Sequence, residues 1–318
     1  MDKKDKMHVA VFLAATFLLS WAAWILSGVL ERRGVFIYDR RWLFAQAGVF
    51  VPTMSAALMM TLRDRASAKK NVTVIMIVFA ALTLGGVISK GTPTSVREFS
   101  VKLSSAVILA AVIFMAVTIL GRYYYLPDRG SGSGKSERAV WIIIAPLFFL
   151  GLFLLGWFVA NLGGRSLSVK IFEEVPLSIL GSLTLAFSMN LILGGPLGEE
   201  FGWRGFLFPL LLKGSNANGA GAMLGLIMAL WHFPIDITSE MGIMAVVFRL
   251  VFGVSYSVLC TWFFVRSGGN ILVALFCHAA VNILPDLGFS GYEASLMVFT
   301  LFMVIAAIAV AFRPEMRR

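Results

Sequence analysis

Short polar connectors divide the chain into apolar runs about as long as a bilayer is thick, and this spacing constrains the fold more than any single residue does. A hydrocarbon core of about 30 Å takes about 20 helical residues, and inside lipid a segment must satisfy its own backbone N–H and C=O groups. Runs of this kind read at Val9–Leu30, Trp42–Leu62, Val72–Ser89, Leu103–Gly121 and Val140–Leu162. Further runs follow at Pro176–Gly195, Phe201–Leu212, Ala220–Phe233, Met241–Val265, Ile271–Leu284 and Ala294–Phe312. They exceed strand length, lack strict alternation and show no internal repeat. The expected fold is an all-α, polytopic transmembrane helical bundle of about 9–11 membrane helices.

Charge content agrees. Only 14% of the 318 residues are charged, against roughly 25% in soluble domains. The net charge of +10 comes mostly from Lys and Arg in connectors, where they anchor helix ends, so nucleic acid is not an expected partner. Met1–Lys6 is basic, and the run after it exceeds the roughly 7–15 residues of a signal-peptide core, which makes it a retained first span. Cys260 and Cys277 sit in apolar runs without CxxC spacing and read as small buried hydrophobes.

The connector Arg122–Arg138 contains the Gly/Ser-rich stretch Asp128–Lys135, a flexible linker by composition. It divides residues 1–135, an amino-terminal transmembrane helical region, from residues 136–318, which carry the unusual polar groups within a core spanning 176–312.

Among 17 acidic residues, Glu199 and Glu200 form the pair flanked closely by apolar runs on both sides. Charges in such surroundings are costly and need a partner. Arg204, four residues after Glu200, shares its helical face. The other double glutamate, Glu173-Glu174, is followed by Pro176 and reads as interfacial. Two of three histidines, His232 and His278, end apolar runs, and Asn282 stands one turn after His278. Gly221, Gly225, Ala229 and His232 form one stripe, and Asn270, Ala274, His278 and Asn282 a second, both suited to close helix packing. If Glu199–Lys213 crosses the membrane, Glu199, His232 and His278 end at the same face. That crossing spans only about 22 Å, which puts the group somewhat below the membrane surface.

Three motifs carry a resemblance. Glu199-Glu200-Phe201-Gly202-Trp203-Arg204-Gly205 is similar to the EExxxR element of the CAAX prenyl protease and bacteriocin-processing (CPBP, Abi) intramembrane protease family. Trp231-His232-Phe233-Pro234 resembles its second motif, and His278-Ala279-Ala280-Val281-Asn282 its HxxxN element. Met228 departs from the FxxxH form of the second motif, which bears on an aromatic contact and not on the histidine. The similar region covers roughly Pro176 to Phe312, and the amino-terminal spans match only in being hydrophobic.

The resemblance implies an intramembrane endopeptidase acting on a membrane-associated peptide or protein, either CAAX-processing or bacteriocin-processing and immunity-like. Glu199 with His232 would activate water, His278 and Asn282 would stabilise the oxyanion, and Glu200 with Arg204 would support the site. No cofactor is required in that reading. Glu199, His232 and His278 are equally the ligand set of a catalytic zinc site, so Zn2+ stays open, with the metal-free form favoured. The implied partners are the lipid bilayer and the substrate; the implied location is the cell membrane, with the site toward the cytoplasmic face. The alternatives are a non-catalytic immunity or scaffold protein of the same fold and, further off, an ion-coupled transporter. Arg249, isolated in the run Met241–Val265, fits either scheme or a simple pairing with a loop acid.

Overall fold

The computed structural model describes residues 1–32, 38–63, 135–162, 169, 179–193, 195–238 and 242–317. The expected runs Val72–Ser89 and Leu103–Gly121, the linker up to residue 134 and the Glu173-Glu174 pair lie outside the described residues. Within them the fold is an all-α membrane bundle. The helices are α1 (Lys3–Arg32), α2 (Tyr38–Arg63), α3 (Lys135–Ala160) and α4 (Ile179–Leu193). After these come α5 (Pro196–Glu200), a π-helix (Phe201–Leu207), α6 (Phe208–Leu212), α7 (Ala217–Trp231) and α8 (Phe233–Ile237). The chain closes with α9 (Ile243–Arg266), α10 (Ile271–Asn282) and α11 (Tyr292–Ala311). Among the described residues, α1, α3, α9 and α11 are long and apolar enough to cross a membrane. Their outer faces keep Leu18, Leu19, Ile143, Leu147, Met244 and Leu301 exposed, as lipid-facing surfaces do.

The stripe of small residues on α7 determines how it packs. A Cβ added at Gly225 would lie 2.6 Å from the Gly253 carbonyl oxygen of α9, and one at Gly221 would lie 2.8 Å from Thr261 Oγ1. Only hydrogen at these positions lets the two backbones approach so closely. Ser257, between Gly253 and Thr261 on the same stripe of α9, donates its hydroxyl to the Gly221 carbonyl at 2.8 Å. On α10, Asn270 caps the helix by accepting from Leu272 N–H at 3.1 Å, and Ala274 is fully buried.

A proline shapes α2. Pro52 has no N–H for the Gly48 carbonyl one turn earlier. Ser20 Oγ from α1 takes that carbonyl at 2.8 Å, satisfying a buried group that lipid could not. Thr53 Oγ1 then donates to the Leu197 carbonyl of α5 at 3.2 Å, tying α2 to the start of the glutamate segment. Gly202 lies so close to Pro52 that an added Cβ would fall 2.5 Å from its backbone.

The opposite end is closed by charge. Lys213 after α6 pairs with Asp5 of α1 at 2.7 Å. Glu315 accepts from Trp262 Nε1 at 3.0 Å and Arg266 Nη1 at 3.1 Å, and the Arg266 guanidinium lies 5.0 Å over the Trp141 ring. Partial burial works against ionising Glu315, but hydrogen bonds from its own backbone, Trp262 and Arg266 hold its carboxyl below the usual carboxylate range.

Gly225→Leu should force α7 and α9 apart. Overpacking typically costs about 1–3 kcal/mol, and two facing backbones leave little room to relax. Thermal unfolding of the purified protein in detergent checks this against Met223→Leu on the exposed face of the same helix, which should leave the melting temperature unchanged.

Candidate functional site

The glutamate pair sits where α5 becomes the π-helix. Gly195, with φ of +113°, opens the segment in a conformation that L side chains rarely adopt, and a Cβ there would fall 2.5 Å from Glu199 Oε1. Glu199 N–H returns to the Gly195 carbonyl at 2.9 Å. Seven residues of π-helix, Phe201–Leu207, then carry Arg204. Such widened turns recur at functional sites because they re-aim side chains. The sequence reading expected an ordinary helix here. The π geometry nonetheless keeps the i, i+4 pair: Arg204 Nη1 contacts Glu200 Oε2 at 2.5 Å, with both side chains fully buried.

Glu200 has a second partner. Its Oε1 accepts from His278 Nδ1 at 2.8 Å. One carboxylate therefore joins the π-helix to α10, and Arg204 Nη2 extends the network to Ser257 Oγ on α9 at 3.4 Å. Since the carboxylate accepts only, His278 Nδ1 carries a proton. His232 is fixed differently: its Nδ1 lies 2.8 Å from the Met228 carbonyl, which also only accepts. That leaves Nε2 of the neutral ring as its acceptor. Met228, the residue that departs from the motif, thus orients the histidine through its backbone, which any side chain at 228 would permit.

Glu199, His232, His278 and Asn282 line one cavity of about 230 Å³. Glu199 is 3% exposed, and its Oε2 has no hydrogen-bond partner among the described residues. Glu200 and Arg204 are fully buried beside this cavity. The three segments that carry these four residues meet at this cavity. The 17 residues of α5, the π-helix and α6 lead away from the cavity, and α7 leads back to it. Its 15 residues and the 12 of α10 span only about 22 and 18 Å at 1.5 Å each, short of a full membrane core.

The same cavity is lined by Trp24 of α1, Val49 of α2 and Tyr256 of α9, to which the sequence reading gave no part in the chemistry, and by Arg249 of α9, whose part it left open. Trp24 packs at 4.6 Å from Trp231 and nearly parallel to His232 at 6.3 Å, while Trp21 Nε1 donates to the Trp231 carbonyl at 2.9 Å. The amino-terminal helices thus build one wall of the site. Two tryptophans spaced three apart within the first run were the visible signal; Trp in a span is ordinarily an interface anchor. Trp21 and Trp24 also line an adjoining apolar groove of about 740 Å³ with Ile25, Phe233 and Pro234. Arg249 pairs with the buried carboxylate of Asp236 on α8, through Nε at 3.0 Å and Nη2 at 3.0 Å.

Among the described residues, no three His, Cys, Asp or Glu side chains gather closely enough to share a metal ion. Glu199, His232 and His278 face one cavity without forming such a cluster.

The described residues thus form an all-α membrane bundle that holds a cavity lined by a carboxylate and two histidines. Residues 181–284 match the family described as Type II CAAX prenyl endopeptidase Rce1-like. CAAX prenyl protease 2 from Methanococcus maripaludis is 27% identical over 119 residues, which cover 35% of this chain and 44% of that relative. The matched region holds all three motifs, and the likeness extends over about a third of the chain and under half of that relative.

Removing Arg204 should leave Glu200 with its buried charge half-compensated. Losing one partner of a buried pair costs about 3–5 kcal/mol. Arg204→Met should therefore unfold well below wild type, and adding Glu200→Gln should recover part of the loss in the same melting assay.

Proposed function

We propose that the chain is an intramembrane endopeptidase and that the cavity is its hydrolytic centre. The observation that supports this most is the convergence of Glu199, His232, His278 and Asn282, from three segments, on one cavity. The name of the matched relative, a CAAX prenyl protease, supports the same reading.

A water bound between Glu199 Oε2 and His232 Nε2 meets two acceptors, which polarise it toward attack on a peptide carbonyl carbon. Glu199 takes the proton as the new C–O bond forms. The carbonyl oxygen becomes an oxyanion that needs donors. The Asn282 amide supplies one. His278 supplies the other through Nε2, which requires the imidazolium, because its Nδ1 proton is already given to Glu200. With His278 charged, Glu199, Glu200, Arg204 and His278 sum to zero, which lowers the cost of burying them. Glu199 then returns its proton to the leaving nitrogen as the C–N bond breaks. Glu200 and Arg204 hold the frame. The apolar groove beside Trp24 suits the lipid-soluble part of a substrate that arrives within the membrane, and the short helices suit a site below one surface.

Three outcomes test this. Mapping of membrane-protein termini in cells carrying wild-type or Glu199→Gln protein should show new termini that depend on Glu199; identical termini would favour a non-catalytic scaffold of the same fold. With a cleaved substrate in hand, Asn282→Ala should lower kcat by about 100- to 1,000-fold, the loss usual for one oxyanion donor. Turnover by purified protein should persist after stringent chelation, and loss restored by Zn2+ would return zinc to the mechanism.

A further inference from the structure

The proposed chemistry leaves one charged residue of the cavity without a task. Arg249 lies seven residues into the apolar helix α9 and lines the cavity that holds Glu199, His232, His278 and Asn282. Its charge acts on both Glu199 and His232. Asp236, 6% exposed, grips the guanidinium along one edge, with Nε 3.3 and 3.0 Å from its two oxygens and Nη2 at 3.0 Å. Nη1 makes no hydrogen bond among the described residues, and the side chain is 37% exposed.

A guanidinium offers two parallel-donor edges, and Asp236 takes the one formed by Nε and Nη2. The edge formed by Nη1 and Nη2 remains, with the spacing that matches a carboxylate bidentately. Because Asp236 stands on α8, immediately after His232, the orientation of this fork is coupled to the histidine-bearing turn. A guanidinium braced by one carboxylate is already ordered, so binding a second costs little further side-chain entropy.

We propose, resting on the protease reading above, that Arg249 is the substrate-positioning residue that binds a carboxylate of the peptide next to the scissile bond, with Asp236 as its brace. Such a carboxylate has two sources, a free carboxyl terminus or an acidic side chain. Recognition of the first would make the enzyme trim tails; recognition of the second would place an acidic residue beside the cut.

Binding separates these from each other and from catalysis. The probes are fluorescent peptides containing a prenylated cysteine followed by three residues, measured by anisotropy on the full-length Glu199→Gln protein in detergent. One pair differs in a free or amidated carboxyl terminus, and a second amidated pair differs in Glu or Gln among the last three residues. A hydrogen-bonded charge pair is worth about 10-fold or more in affinity, so one pair should show that preference for the carboxylate. Arg249→Gln should bring the ratio close to one, Arg249→Lys should retain part of it, and Asp236→Asn should weaken it. Equal affinities in both pairs, including no binding at all, would overturn the assignment without any variant. A preference surviving Arg249→Gln would do the same and leave Arg249 as a counter-ion for Glu199. Selective binding without cleavage by wild-type protein would instead keep the assignment and refute the protease.

Discussion

The structure depends on the Glu200 carboxylate, clamped between Arg204 at 2.5 Å and His278 at 2.8 Å. Each contact joins different parts of the chain: Arg204 lies on the π-helix and reaches Ser257 of α9, while His278 lies on α10. Three segments thereby meet at one fully buried anion. In an apolar bundle such an anion is tolerated only while both partners stay, which makes the arrangement all-or-none. Glu199, one residue earlier, is pointed by the same backbone into the cavity, where one oxygen has no hydrogen-bond partner among the described residues.

A second constraint comes from backbone groups that lipid cannot satisfy. Pro52 frees the Gly48 carbonyl, Ser20 takes it, and α1 is locked against α2. Trp21 and Trp24, on the same helix as Ser20, then reach the turn that carries His232. The tightness of the α7–α9 contact, through Gly221, Gly225, Gly253 and Ser257, brings Arg249 and Tyr256 to the cavity's other side.

Much of this was legible before the fold was known, because the relevant signals are local. Helix positions follow from apolar run lengths: the run Val140–Leu162 corresponds to Lys135–Ala160, and Ile271–Leu284 to Ile271–Asn282. The Glu200–Arg204 pair follows from i, i+4 spacing. Glu199, His232 and His278, singled out as polar groups among apolar runs, do line one cavity. Three things were not legible. The His278–Glu200 bond joins residues 78 apart in sequence, and no periodicity reports such a contact. The π-helix has no sequence signature separable from a glycine-containing α-helix. Trp24 looks like an interface anchor, and Arg249 fits several roles, until packing supplies their neighbours.

The central claim is that the adjacent glutamates divide their work, Glu199 for chemistry and Glu200 for the frame. Measuring melting temperature and substrate turnover together, on purified Glu199→Gln and Glu200→Gln proteins, tests it most directly. Glu199→Gln should abolish turnover while melting at or above the wild-type temperature, since it removes a buried, incompletely partnered charge. Glu200→Gln should lower the melting temperature by roughly 10 °C, because it strips two cations of their anion. The reverse pattern, with Glu199→Gln unstable and Glu200→Gln stable but inactive, would contradict the account.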